Sequence, residues 1–170
     1  MRHLPLSLLI ATLPSVALAE GWTYSTPRAP RRTPALLAGP VLTYEEGLGA
    51  QQVRRGTAGH LELGGSLPVG YEENELFLMV RAGGGAPGFG LSAYGGFRSV
   101  FGQEEWQTFV DLGAAVHVQP DFWVGPRVGL GVRCSLSETF SLYGGLGAQL
   151  GFGSGLRLGV ELNTGVRWSL

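Results

Sequence analysis

Two histidines, a serine and a few carboxylates are the residues best suited to chemistry here. A hydroxyl polarised by a histidine that a carboxylate orients is the arrangement for acyl transfer. Ser92, His117 and Asp111 are the set this chain offers. His117 and Asp111 share one face of an extended segment, but no spacing ties the serine to them, so no catalytic site is expected. His60, Glu62 and His117 are potential metal ligands, since imidazole and carboxylate suit several metals. Their segments are not adjacent and no ligand spacing repeats, so they read as satisfied polar groups and no metal is expected. The single cysteine, Cys134, excludes an intramolecular disulfide framework and a cysteine-based zinc cluster; it reads as a small apolar residue. Gly83-Gly84-Gly85 and Gly151-Phe152-Gly153-Ser154-Gly155 resemble phosphate loops only superficially. Neither opens a helix, the context such a loop requires. They read as hairpin turns, and no cofactor is implied.

The composition narrows the partners. The chain has 170 residues, 12 basic and 13 acidic, with a net charge of −1. All the basic residues are Arg. A dedicated nucleic-acid binder would carry a basic excess, so that class is excluded. Charged residues make up 15% and there are 29 glycines, a low charge density and a high glycine share for a globular domain. The 44% of apolar residues are patterned, which separates the chain from low-complexity polymers.

Three segments are expected. Residues 1–19 open with Met1-Arg2-His3, run apolar and end Ala17-Leu18-Ala19, the form of a secretory signal peptide. The apolar run is interrupted by Pro5 and Pro14 and is shorter than the roughly 20 residues of a spanning helix. Residues 20–34 form a Pro- and Arg-rich tail, read as extended because proline breaks helix and central strand. Residues 35–170 are the folded domain.

In that domain the period is two, the strand period. Leu156, Leu158, Val160 and Leu162 alternate with Arg157, Gly159, Glu161 and Asn163; Leu61 and Leu63 alternate with His60, Glu62 and Gly64. Eight such segments follow one another, separated by Gly, Pro, Asn, Asp and Ser clusters that favour turns. The first, 35–44, is the weakest, because both parities are apolar and Pro40 interrupts it. An even number of strands with no helical interlude predicts an all-β, eight-stranded antiparallel up-and-down barrel.

Two orientations fit the alternation. A soluble lipocalin-like barrel, periplasmic or secreted, would hold Leu and Val inside around an apolar ligand. A transmembrane barrel has its apolar face outside and a polar lumen. Three features favour the second. The polar face carries Arg and acidic residues in nearly equal number, as an enclosed lumen requires. It is rich in glycine, which makes room for arginine in a narrow interior. And the outward aromatics sort by depth: Phe97, Trp106, Phe140 and Trp168 near one rim, Phe89 and Phe122 near the other, as two interface girdles would.

In these features residues 35–170 resemble the small eight-stranded outer-membrane barrels, the OmpA/OmpX-type group. The resemblance is architectural. It implies a cell outer-membrane location after export, outer-membrane lipid as a partner, and the barrel-insertion machinery during assembly. That machinery reads an alternating last strand closed by an aromatic residue; here Leu162 to Leu170 alternate, the chain ends in Leu170, and the aromatic is Trp168.

Folding neighbouring strands about their turns sets expected lumen partners. Arg98 comes beside Glu105, Glu105 near Arg133, Asp111 near Arg127, and His60 or Glu62 near Arg81. With Glu161 these form a charge network. Phe77, Tyr94 and Phe109 align on three neighbouring strands as an aromatic plug. The expectation is a side-chain-filled lumen without an open pore; a gated or proton-conducting lumen is the alternative. The function that follows is non-enzymatic, a structural or contact role in the cell envelope. The connection over residues 45–57 is the longest outer loop and the expected place for a protein contact, around Glu45, Glu46, Arg54 and Arg55.

Overall fold

The computed structural model describes residues 33–48, 56–70, 74–102, 105–153 and 155–170. The expected leader, most of the tail, and Arg54 and Arg55 lie outside the described residues. Eight strands run in chain order: β1 (Ala35–Leu48), β2 (Gly56–Val69), β3 (Asn74–Gly85), β4 (Gly88–Phe101), β5 (Trp106–Gln119), β6 (Trp123–Ser135), β7 (Phe140–Gly153) and β8 (Leu156–Ser169). Each pairs antiparallel with the next, and β1 pairs with β8, so the sheet closes as a barrel.

Closure follows from the sequence pattern. Alternation gives most strands one apolar face and one face richer in polar residues and glycine, and closing the sheet removes both edges. The described turns are short. Ala86 and Pro87 alone join β3 to β4, and Gly88 takes the positive φ of +108° that this reversal needs. The strands are 12 to 14 residues long, more than the roughly ten a tilted strand needs to cross a hydrocarbon core.

The apolar faces point out. Leu61 is 71% exposed and Leu63 64%, while Glu62 between them is 3% exposed. The arginines of the polar face, at 81, 98, 127, 133, 157 and 167, are all buried. This overturns the lipocalin-like alternative, whose charges would face water.

β1 is the first correction. It is continuous from Ala35 to Leu48, through Pro40. Proline cannot donate to a ladder, and here its ring faces outward while pairing with β2 continues across it. Only the β8 side is interrupted: the register passes from Ala38↔Val166 to Val41↔Asn163. The continuation to Leu48 also puts Glu45 and Glu46 in a strand. Glu45 is buried in the lumen, and Glu46 accepts a hydrogen bond from the Tyr44 hydroxyl at 2.5 Å.

Candidate functional site

The lumen is filled by three layers of side chains. In the middle layer, Glu62 on β2 and Arg81 on β3 are direct cross-strand partners. Arg81 donates from Nε to Glu62 Oε2 at 3.1 Å and from Nη1 to Glu161 Oε2 at 2.6 Å. Arg127 donates from Nε to the other oxygen of Glu161 at 2.7 Å, with a second bond from Nη2. Its Nη1 reaches Asp111 Oδ2 at 3.5 Å. Arg98 grips both oxygens of Asp111, at 2.7 and 2.9 Å. That fork is the geometry at which guanidinium and carboxylate match best. The result is one chain of alternating sign, Arg98–Asp111–Arg127–Glu161–Arg81–Glu62. Three positive and three negative groups cancel, as burial demands.

Aromatic rings fill the gaps in this chain. The Tyr94 ring lies between two guanidiniums, with Arg81 at 4.1 Å and Arg127 at 4.2 Å from its centroid. Arg98 covers Phe109 at 4.1 Å and Phe77 at 5.2 Å. Phe77 meets Tyr94 edge-on at 5.8 Å. The hydroxyls of Tyr94 and Tyr143 donate to the two oxygens of Glu62 at 2.8 and 3.0 Å. Guanidinium over an aromatic face is attractive, more so where water is excluded.

At the end carrying the chain termini, Glu75 Oε1 accepts from both Arg133 and Arg167, at 3.1 and 2.9 Å. Arg133 also donates twice to Gln107 Oε1. At the opposite end, His117 stacks on Trp123 with centroids 4.0 Å apart. Its Nε2 is 3.8 Å from Glu45 Oε1, and Arg157 Nη1 is 3.6 Å from Glu45 Oε2. His60 Nε2 lies 3.1 Å from Thr43 Oγ1 beside a cavity of about 20 Å³, room for about one water.

The structure thus brings Glu62, Arg81, Arg98, Asp111, Arg127 and Glu161 together, and places Arg133 in the layer next to them. Glu105 is a correction. It is exposed in the turn before β5, where its backbone carbonyl accepts from Ser135 N at 2.8 Å. β4 runs on to Phe101, and that length sets Asp111, not Glu105, opposite Arg98. Arg133 accordingly faces Gln107. Several lumen partners were not assigned from sequence: Glu75, Gln107, Tyr143 and Glu45. Parity alone marks Glu75, Gln107 and Tyr143 as inward, whereas the sequence puts Glu45 in the outer loop, and it becomes inward only because β1 runs on to Leu48. Glu75 and Tyr143 make contacts across the lumen between strands that are not neighbours, which no hairpin folding could show. Gln107 faces Arg133 on the next strand once the register is known, and Glu45 meets Arg157 across the β1–β8 closure.

The aromatic rims are also placed. Phe140 and Trp168 are cross-strand partners at the end carrying the termini, and Trp106 lies at the same end. Trp106 and Trp168 are 65% and 59% exposed; Phe140 is half-buried. Phe97 lies deeper on the outer wall, between Leu76 and Leu112. Phe89 and Phe122 are exposed at the other end. Phe101 adds to the first rim, and Phe152 and Tyr44 to the second. As for chemistry, Ser92 and His117 are cross-strand partners, but both oxygens of Asp111 are taken by arginines. Among the described residues no three His, Cys, Asp or Glu side chains are arranged to hold a metal ion.

No protein-family model matches the chain, and no curated protein matches it by sequence. Solved structures do match by fold. The crystal structure of Neisserial surface protein A aligns with a TM-score of 0.63 at 12% identity, over 81% of this chain and 97% of that one. The N-terminal β-barrel domain of Pseudomonas aeruginosa OprF aligns with a TM-score of 0.52 at 14% identity, over 81% and 98%. This chain has the fold of the small outer-membrane barrels. At these identities the likeness is one of architecture. In an outer-membrane barrel an outward leucine faces lipid and an inward arginine must find its partner inside, which is the division seen on β3, β4, β6 and β8 here.

Proposed function

We propose that this protein is a non-enzymatic barrel of the cell outer membrane, reached after signal-peptide-directed export, with a structural or contact role in the envelope. The observation that carries this reading is the inversion of polarity. Leu61, Leu63 and Leu78 are more than 60% exposed on the outer wall, while Glu62 and Arg81 among them are 3% and 2% exposed. In water such a belt would aggregate; in a bilayer it is solvated. What supports a closed lumen is the middle layer, where six charged groups pack against the rings of Phe77, Tyr94 and Phe109. The outer-membrane lipid and the barrel-insertion machinery are the partners this role entails. A protein contact would lie on the connection after Leu48, since Glu45 is committed to the lumen.

The test combines two measurements. A membrane fraction run on SDS gels should hold the protein in the outer membrane, with a mobility shift between unboiled and boiled samples. Refolded protein in a planar bilayer should give no steady conductance. A soluble, unshifted protein would overturn the membrane reading; a defined conductance would overturn the closed lumen.

A further inference from the structure

Two ladders of the barrel are each interrupted for two residues at a Gly-Pro step, with the register unchanged on either side. Between β1 and β8 the pairing skips Gly39 and Pro40. Between β6 and β7 it passes from Val124↔Phe152 to Arg127↔Gln149, skipping Gly125 and Pro126. Both prolines face outward and are exposed. The seams β1–β2, β2–β3, β3–β4, β5–β6 and β7–β8 are continuous, and β4–β5 carries only a bulge at Leu91 and Ser92. A proline in a closed sheet removes one ladder donor. On a wall facing hydrocarbon no water replaces it, so each step is a weak point.

The two weak seams border the same unit. β7 is joined to β6 and β8 to β1, so the hairpin 140–169 has an interrupted ladder on each side and an intact one within. Its outer wall is also grooved. A groove of about 450 Å³ crosses it, and inward residues Phe109 and Asn163 contribute to the lining. A second, of about 310 Å³, reaches Gly147 and Glu161. Asn163 lies beside the β1 break, and its Oδ1 is buried without a hydrogen-bond partner.

We propose that the β7–β8 hairpin is a lateral flap of the backbone wall, whose seams with β6 and β1 open first at the two Gly-Pro steps, while Glu161 keeps its inner face tied to Arg81 and Arg127.

Amide hydrogen exchange on the full chain, folded in phosphatidylcholine bilayers, tests this. Amides along the β6–β7 and β8–β1 seams should exchange about tenfold or more faster than those of β2–β3 at the same depth, since local opening precedes exchange. Equal protection around the barrel would overturn the flap. In the double variant Pro40→Val, Pro126→Val the restored donors should bring both seams to the protection of β2–β3; unchanged rates would overturn it. Should that variant not fold, a disulfide across the outward pair Ala38→Cys, Val166→Cys should slow exchange along β8–β1. A seam that exchanges as fast when cross-linked would overturn the proposal as well.

Discussion

Glu161 holds the middle of the lumen together, and removing its charge should cost more than removing a whole ion pair. Its side chain has no exposed surface and its two oxygens separately engage Arg81 and Arg127. Glu161→Gln keeps the shape and one acceptor but leaves two buried guanidiniums sharing too little negative charge. Breaking a buried pair from one side costs about 3–5 kcal/mol. With urea slopes of about 1–3 kcal/mol per molar, the unfolding midpoint should fall by roughly 2 M. The partner experiment removes both signs: Glu161→Leu with Arg127→Met. Arg81 then keeps Glu62 at 3.1 Å, and Arg98 keeps both oxygens of Asp111. Replacing a complete buried pair by apolar groups of similar volume is often close to neutral, so the double variant should be more stable than the single one although it has lost more hydrogen bonds. Urea titration of protein folded in phospholipid vesicles, followed by tryptophan fluorescence, reads both. A single-variant shift under about 0.5 M, or a double variant less stable than Glu161→Gln, would refute the account of a charge-balanced interior.

The outer wall and the glycines give two further tests. Leu63→Arg puts a charge on the wall where the leucine is 64% exposed; in vesicles it should cost about 2–4 kcal/mol, and a neutral result would mean that this face meets water. Gly131→Ala should be destabilising by about 1–3 kcal/mol, the usual cost of overpacking, because its new methyl meets the Phe109 ring and the Gly144 carbonyl. Gly59→Ala, where a methyl meets nothing within 4 Å, should stay within about 0.5 kcal/mol. Both are read by the same urea titration, and equal effects at the two positions would refute the packing argument.

Most of the fold was legible because alternation is a strong signal over long strands. Residues such as Leu61, Glu62 and Leu63 declare their faces without reference to anything distant. The site was legible only in part. Glu62 with Arg81 came out because the pair is directly opposite across a well-marked hairpin. Arg98 with Glu105 did not, because β4 extends to Phe101 and its turn lies beyond the expected one; parity survives such a shift and partner identity does not. Contacts across the lumen, such as Tyr143 with Glu62 or Arg133 with Glu75, depend on how the closed sheet curls. Pro40 misled in another way: it breaks one ladder of its strand and leaves the strand itself whole.

The register the sequence could not show is nonetheless written in the side-chain sizes. Along the lumen, large residues sit opposite glycines: Phe109 opposite Gly131, Tyr143 opposite Gly165, Glu161 opposite Gly147 and Gln149 opposite Gly159. A slip of the β7–β8 pair by two residues keeps every face correct, so the hydrophobic pattern does not oppose it. In one direction it would set Tyr143 against Arg167 and Gln149 against Glu161; in the other, Tyr143 against Asn163 and Gln149 against Arg157. Either puts two large side chains in space now shared by one large side chain and a glycine, in an interior barely wide enough for the first. It would also part Glu161 from the two guanidiniums it neutralises. Size complementarity and charge pairing therefore select the same register. The high glycine content and the buried arginines are two halves of one constraint, which works beside the small aromatic cluster of Phe77, Tyr94 and Phe109 in a barrel whose leucines lie outside.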